Sequence, residues 1–318
     1  MSNSCLIQVP PPLQPGDLLQ VIAPSGCLRE ATPSGRNEVE AFQRGVEIWR
    51  ARGYRVEVAP GCDRTWGYLA GTDAERREQL ARAWCDPQVR GILCARGGYG
   101  VSRLLEEWSW PDIEIPKWTI GFSDITALLW SLHPRGISSV HGPVLTSLPT
   151  EPEWSVERLF DLVEGRSLKA LQGKGWGGGS VRGRLLPGNL AVATGMLGTG
   201  VQPSFDGVIL AFEDVGEAPY RLDRMLTQWR MVGAFEGVRG IALGRFSSCE
   251  VSRGIPSLTV SEMLRDRLGD LGIPVVSDLP FGHEGVNAAL PVGVAVKLDG
   301  DRGILSVETA DETADSTP

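Results

Sequence analysis

The feature that most constrains this chain is the alternation of short apolar runs with helical patterns through its first half. "LLQVIAP" (18–24) predicts a strand, and "RNEVEAFQRGVEIWRARG" (36–53) an amphipathic helix stopped by glycine. "YRVEVAP" predicts the next strand. "TDAERREQLARAW" opens with Thr72 three residues before Glu75, the spacing of a capping box, and predicts a second helix. "VRGILCAR" (89–96), "GGYGVSRLLEEW", "KWTIGFSDITALLW" (117–130) and "ISSVHGPV" (137–144) continue the series. Strands that alternate with helices need crossover connections, which means an α/β fold built on a parallel sheet.

From 165 to 183 the texture changes. "GRSLKALQGKGWGGGSVRG" is rich in glycine and has little periodicity, so it is expected to be an interdomain connection or a mobile loop. Beyond it, "RGRLLPGNLAVATGMLGT" and "GVILAFEDVGEAPYRLDRMLTQWRMVG" start another α/β unit, and "VGVAVKLDGDRGILSVE" is expected to close the chain as a hairpin turned at Asp299-Gly300-Asp301. The expected division is therefore an N-terminal domain at 1–164, a connection at 165–183, a C-terminal domain at 184–308 and an acidic, polar tail at 309–318.

Bulk properties exclude several classes. A formal charge of −8 argues against a nucleic-acid polymer as partner, because phosphate binding needs a basic surface. No run approaches the ~20 apolar residues of a membrane helix, and the first residues lack a basic segment followed by an apolar one, so no secretory signal is expected. The six cysteines are scattered with no C-x-x-C pair, which favours reduced thiols over a disulfide framework or a zinc site. No metal-binding spacing is present and no cofactor is expected.

In open α/β sheets, ligands collect at the carboxyl ends of the parallel strands. Ser123 follows the predicted strand that ends near Phe122, Glu213 and Asp214 follow "GVILAF", and His283 follows "PVVSDLPFG". A serine hydroxyl needs an imidazole to take its proton, and that imidazole needs a carboxylate at its other nitrogen. Backbone N–H groups at a helix start can stabilise an oxyanion; the Asp124 N–H is one candidate, and "RGGYG" (96–100) could supply a second. A different reading of the same residues makes Ser123 or Asp124 a helix cap, and Asp214 competes with Glu213. His133 precedes Pro134 and reads as a C-terminal cap, while His141 is the rival general base.

Together "RGGYG" (96–100), "GFSDITALL" (121–129), "HGPV" (141–144), "LPGNL" (186–190), "FEDVGEAPYRLDRML" (212–226) and "PFGH" (280–283) resemble the LD-carboxypeptidase family of serine peptidases. That family includes the muramoyl-tetrapeptide carboxypeptidases and the microcin C self-immunity peptidases. The resemblance implies an N-terminal parallel-sheet domain of flavodoxin/Rossmann-like type plus a smaller C-terminal α/β domain. It places the nucleophile on Ser123, the acid on Glu213 and the base on His283, with oxyanion donors at Asp124, Gly97 and Gly98. It further implies a cytoplasmic homodimer acting on a peptide substrate, in which D-alanine is released from murein tetrapeptides during cell-wall recycling. Arg96, Arg221 and Arg224 are the nearest cations for a terminal carboxylate. A rival substrate is a peptidyl-nucleotide conjugate, whose base Trp176 could stack on. A rival of another class is a non-catalytic protein that binds a small ligand at the same strand ends.

Overall fold

The computed structural model describes residues 7–30, 35, 37–251 and 254–308. Two units emerge, Met1–Arg166 with Ala289–Pro291, and Ser167–Ala288 with Val292–Pro318. The tail expected at 309–318 lies outside the described residues, as does Cys5.

In the first unit the strands are β1 (Leu18–Ile22), β2 (Arg55–Val58), β3 (Val89–Cys94), β4 (Trp118–Gly121) and β5 (Ser139–His141). All four pairings among them are parallel and the order is β2-β1-β3-β4-β5, with an edge strand at Leu290–Val292 beside β5. This is the flavodoxin-like arrangement, whose order reverses between β1 and β3. Leu19, Val21, Ile92 and Val140 are wholly buried, as expected of a parallel sheet covered on both faces.

Among the described residues, the α-helices that connect or flank these strands are α1 (Glu38–Ala51), α2 (Asp73–Cys85), α3 (Val101–Leu105), α4 (Thr126–Leu132) and α5 (Glu153–Val163). Asn37 caps α1 by accepting from the Glu40 N–H at 3.0 Å, and Phe42, Val46 and Trp49 form its buried stripe. The Thr72–Glu75 capping box on α2 is present in both directions.

The second unit contains β6 (Leu171–Gln172), β7 (Lys174–Gly175), β8 (Ser180–Asn189), β9 (Val208–Val215), β10 (Gly240–Ser247) and β11 (Val275–Ser277). After β12 (Leu290–Val292, the edge strand of the first sheet) come β13 (Ala295–Asp299) and β14 (Ile304–Val307). Its helices are α6 (Leu190–Gly195), α7 (Pro219–Met231) and α8 (Val260–Leu268). The eight-stranded sheet runs β6-β14-β13-β8-β9-β10-β11-β7; β8 through β11 are parallel and the remaining pairings antiparallel.

The two edge strands, β6 and β7, are separated in the chain by Gly173 alone, so the sheet is rolled until its edges meet there. Closure of this kind leaves little unpaired backbone. It corrects the reading of 165–183 as a connection or loop, because much of that stretch is strand. Gly173 is needed for contact rather than for flexibility: a Cβ there would lie 2.2 Å from the Ser277 carbonyl oxygen. The final hairpin also differs in detail. Asp299 pairs with Ile304, so the loop is 300–303, and Asp299 Oδ1 accepts from the Asp301 and Arg302 N–H groups at 3.2 and 2.9 Å.

Candidate active site

In the first unit, three loops at the carboxyl ends of β1, β3 and β4 converge. Ser123 begins a short 3-10 turn that leads into α4, and its φ of +62° lies in the left-handed region that a non-glycine residue adopts at a cost. No side-chain capping bond forms at the start of this turn or of α4, so Ser123 is not a cap. The capping role falls to Asp124, and on another helix. Its Oδ2 accepts from the Val101 N–H at 3.0 Å, at the first turn of α3, and from Ser25 Oγ–H at 2.6 Å. Burial pushes the Asp124 carboxyl above its ordinary range, and the donors from Ser25 and Val101 only partly oppose that.

Gly97 lies directly against the serine. A Cβ on it would stand 2.8 Å from Ser123 Cβ and 3.0 Å from Oγ, so only glycine brings this backbone so close. Gly98, at φ +123°, packs against Gly26. Arg96 is already engaged: its guanidinium donates to Glu38 Oε2 and to the Cys27 carbonyl, each at 2.6 Å. His141, the rival base, is wholly buried on β5, with its ring edge-on to Phe122 at 6.0 Å between centroids.

In the second unit, β9 carries Glu213 into the interior and the loop after β11 carries His283. Glu213 Oε2 accepts from His283 Nδ1 at 2.6 Å, and the carboxylate is fully buried. A carboxylate only accepts, so Nδ1 carries the hydrogen and Nε2 is the basic nitrogen. Burial alone would lower the His283 pKa; the charge and hydrogen bond of Glu213 outweigh it and hold the imidazole above its ordinary value.

Asp214 does not compete for the histidine. It accepts from Asn189 Nδ2 at 3.0 Å, the Ala191 N–H at 2.9 Å and the Val215 N–H at 2.8 Å, and burial pushes its carboxyl up to about 6. Asn189 and Ser25 were missed as site residues by sequence reasoning. Asn189 had a legible signal, an asparagine just before the apolar start of α6, but only as a cap. Ser25 had none.

The remaining candidates are also placed. Trp176 donates from Nε1 to Ser277 Oγ at 2.9 Å, and the Arg265 guanidinium lies 4.5 Å over its ring. Arg221 is exposed on α7, next to Tyr220 and 3.5 Å from Glu217. A cavity of about 300 Å³ opens one residue from His283 and is lined by Trp176, Arg245, Ser247, Glu250, Asp278 and Glu284.

An imidazole held by a buried carboxylate, and a serine on a strained strand-to-helix turn, are residue types that nucleophilic hydrolysis uses. The comparisons agree. The LD-carboxypeptidase N-terminal domain matches residues 19–142 and the LD-carboxypeptidase C-terminal domain residues 182–298. A Synechocystis protein that bears only a provisional carboxypeptidase name is 59% identical over 93% of this chain and 96% of its own. The murein tetrapeptide carboxypeptidase of Pseudomonas aeruginosa is 34% identical over 83% of this chain and 89% of its own.

Among solved structures, the muramoyltetrapeptide carboxypeptidase of Oxalobacter formigenes superimposes with a TM-score of 0.77 at 29% identity, covering 91% of this chain and 97% of that one. The microcin C7 self-immunity protein bound to glutamyl sulfamoyl guanosine shares the fold, with a TM-score of 0.80 at 24% identity over 96% and 98% of the two chains. The chain belongs to the LD-carboxypeptidase family and is a hydrolase of the carboxypeptidase class.

Proposed function

We propose that this protein is a serine-type LD-carboxypeptidase that releases the terminal D-alanine of murein tetrapeptides, acting as a homodimer in the cytoplasm during cell-wall recycling. The observation that carries the reading is the 2.6 Å contact between Glu213 Oε2 and His283 Nδ1, which prepares Nε2 to accept a proton. In the proposed reaction Ser123 Oγ attacks the scissile carbonyl while His283 Nε2 takes its proton, and Glu213 stabilises the imidazolium. The oxyanion is received by the backbone N–H groups of Asp124 and the Gly97-Gly98 segment. His283 then protonates the departing D-alanine, and water activated by the same nitrogen releases the acyl group.

The murein substrate is supported by the name of the Pseudomonas relative. The engagement of Trp176 with Ser277 and Arg265 favours a packing role over a platform for a nucleobase. Parallel assays decide the substrate: release of D-alanine from a muramyl tetrapeptide, and hydrolysis of an aminoacyl sulfamoyl adenosine. The tetrapeptide is expected to turn over and the nucleotide conjugate not; the reverse pattern rejects the murein reading. Ser123→Ala is expected to lower turnover by roughly 10³–10⁶, and near-normal turnover in that variant removes the covalent mechanism.

A further inference from the structure

The carboxylate of Glu213 is held at both ends, and one of the holders has no part in the chemistry above. Resting on the carboxypeptidase reading, we propose that Asn189 is the positioning residue of the acid–base pair, fixing the plane of the Glu213 carboxylate so that Oε2 meets His283 Nδ1.

The terminal torsion of a glutamate is broad, so one hydrogen bond leaves its carboxylate free to swing. A second contact, from Asn189 Nδ2 to Glu213 Oε1 at 3.3 Å, removes that freedom. The amide is itself held. Its Oδ1 accepts from the Val192 N–H at 3.1 Å, which caps α6, and its Nδ2 also donates to Asp214 Oδ1 at 3.0 Å. The orientation follows from the partners, because two carboxylate oxygens on one side require the NH₂ and a backbone N–H on the other requires the oxygen. Asn189, Glu213 and Asp214 are 4%, 0% and 2% exposed, so bulk water has little access to replace a lost donor.

Without the Asn189 donor the Glu213 carboxylate can turn, its bond to Nδ1 weakens, and the support that holds the imidazole above its ordinary value falls away. Glu213 and Asp214 are charged groups that raise the imidazole, so the consequence should appear in its titration.

Two variants separate this role from the helix cap. Asn189→Ser and Asn189→Thr each keep a capping oxygen and delete the amide donor. Both are read in a Ser123→Ala background by NMR titration of His283, one of only three histidines, so that no turnover is needed. The midpoint is expected to fall by about one pH unit in Asn189→Ser, while the far-UV circular dichroism of that variant matches the parent's, showing that α6 and its cap are kept.

A midpoint that is unchanged or raised in Asn189→Ser overturns the proposal, and Asn189→Thr repeats the test should the serine variant fail to fold. With Ser123 restored, the acidic limb of kcat/KM should move by the same amount. Serine-dependent turnover with an unmoved titration rejects Asn189 alone, whereas serine-independent turnover rejects the covalent serine mechanism and leaves the titration meaningful.

Discussion

At the scale of single residues, His283 makes the account quantitative in pH. Only the neutral imidazole can take a proton from Ser123, and the Glu213 carboxylate holds the imidazole above its ordinary value despite burial. kcat/KM should therefore climb with pH along a limb whose midpoint lies above ~6.5, the unperturbed histidine value. A profile recorded from pH 5 to 9 with a midpoint at or below that value would contradict the assignment of His283 as the base. The linked stability runs the other way. A raised folded pKa contributes stability that is fully present below the ordinary value and lost as pH rises through the folded one, so the imidazole stabilises the fold most where it is least able to catalyse.

At the scale of elements, the ends of α1 and α5 are joined by charge. Glu164, at the carboxyl end of α5, accepts from Arg52 at 2.9 and 3.1 Å and from Tyr54 Oη–H at 2.8 Å. Burial alone would raise this carboxyl, but the donors from Arg52 and Tyr54 prevail and bring it down to about 2. Its contribution is present above the ordinary carboxylate range and lost as pH falls through about 2. Glu164→Gln should cost roughly 1–2 kcal/mol at pH 7, allowing for solvent screening of a partly exposed pair. Urea melts at pH 7 and pH 2.5 check this: the gap should narrow at the lower pH, and equal stabilities at pH 7 would contradict it. Elements are also where sequence was most and least legible. Thr72 and Glu75 announced their capping box because a cap is a local contact. The glycines of 165–183 misled, because Gly173 serves an approach to Ser277 more than a hundred residues away. Asn189 read as a cap and is one, but its other bonds go to β9, which local sequence does not reveal.

At the scale of the whole molecule, the equipment is divided. One unit supplies a serine on a strained turn with Gly97 against it, and the other supplies a carboxylate–imidazole pair. The strand ends that carry them were legible because parallel α/β alternation fixes where loops collect, and the roles proposed for them rest on the family resemblance. The orienting shell of Ser25, Asn189 and Asp214 was not, since each acts through contacts between segments far apart in the chain. Among the described residues no helix is long and apolar enough to cross a membrane. The central claim is that His283 activates Ser123. Treating the protein with a fluorophosphonate and mapping the adduct by mass spectrometry tests it most directly. The account predicts one adduct, on Ser123, whose rate of formation falls by about 10³ or more in His283→Ala; a Ser123 adduct that forms as fast without the imidazole, or labelling that falls on another residue, would contradict it.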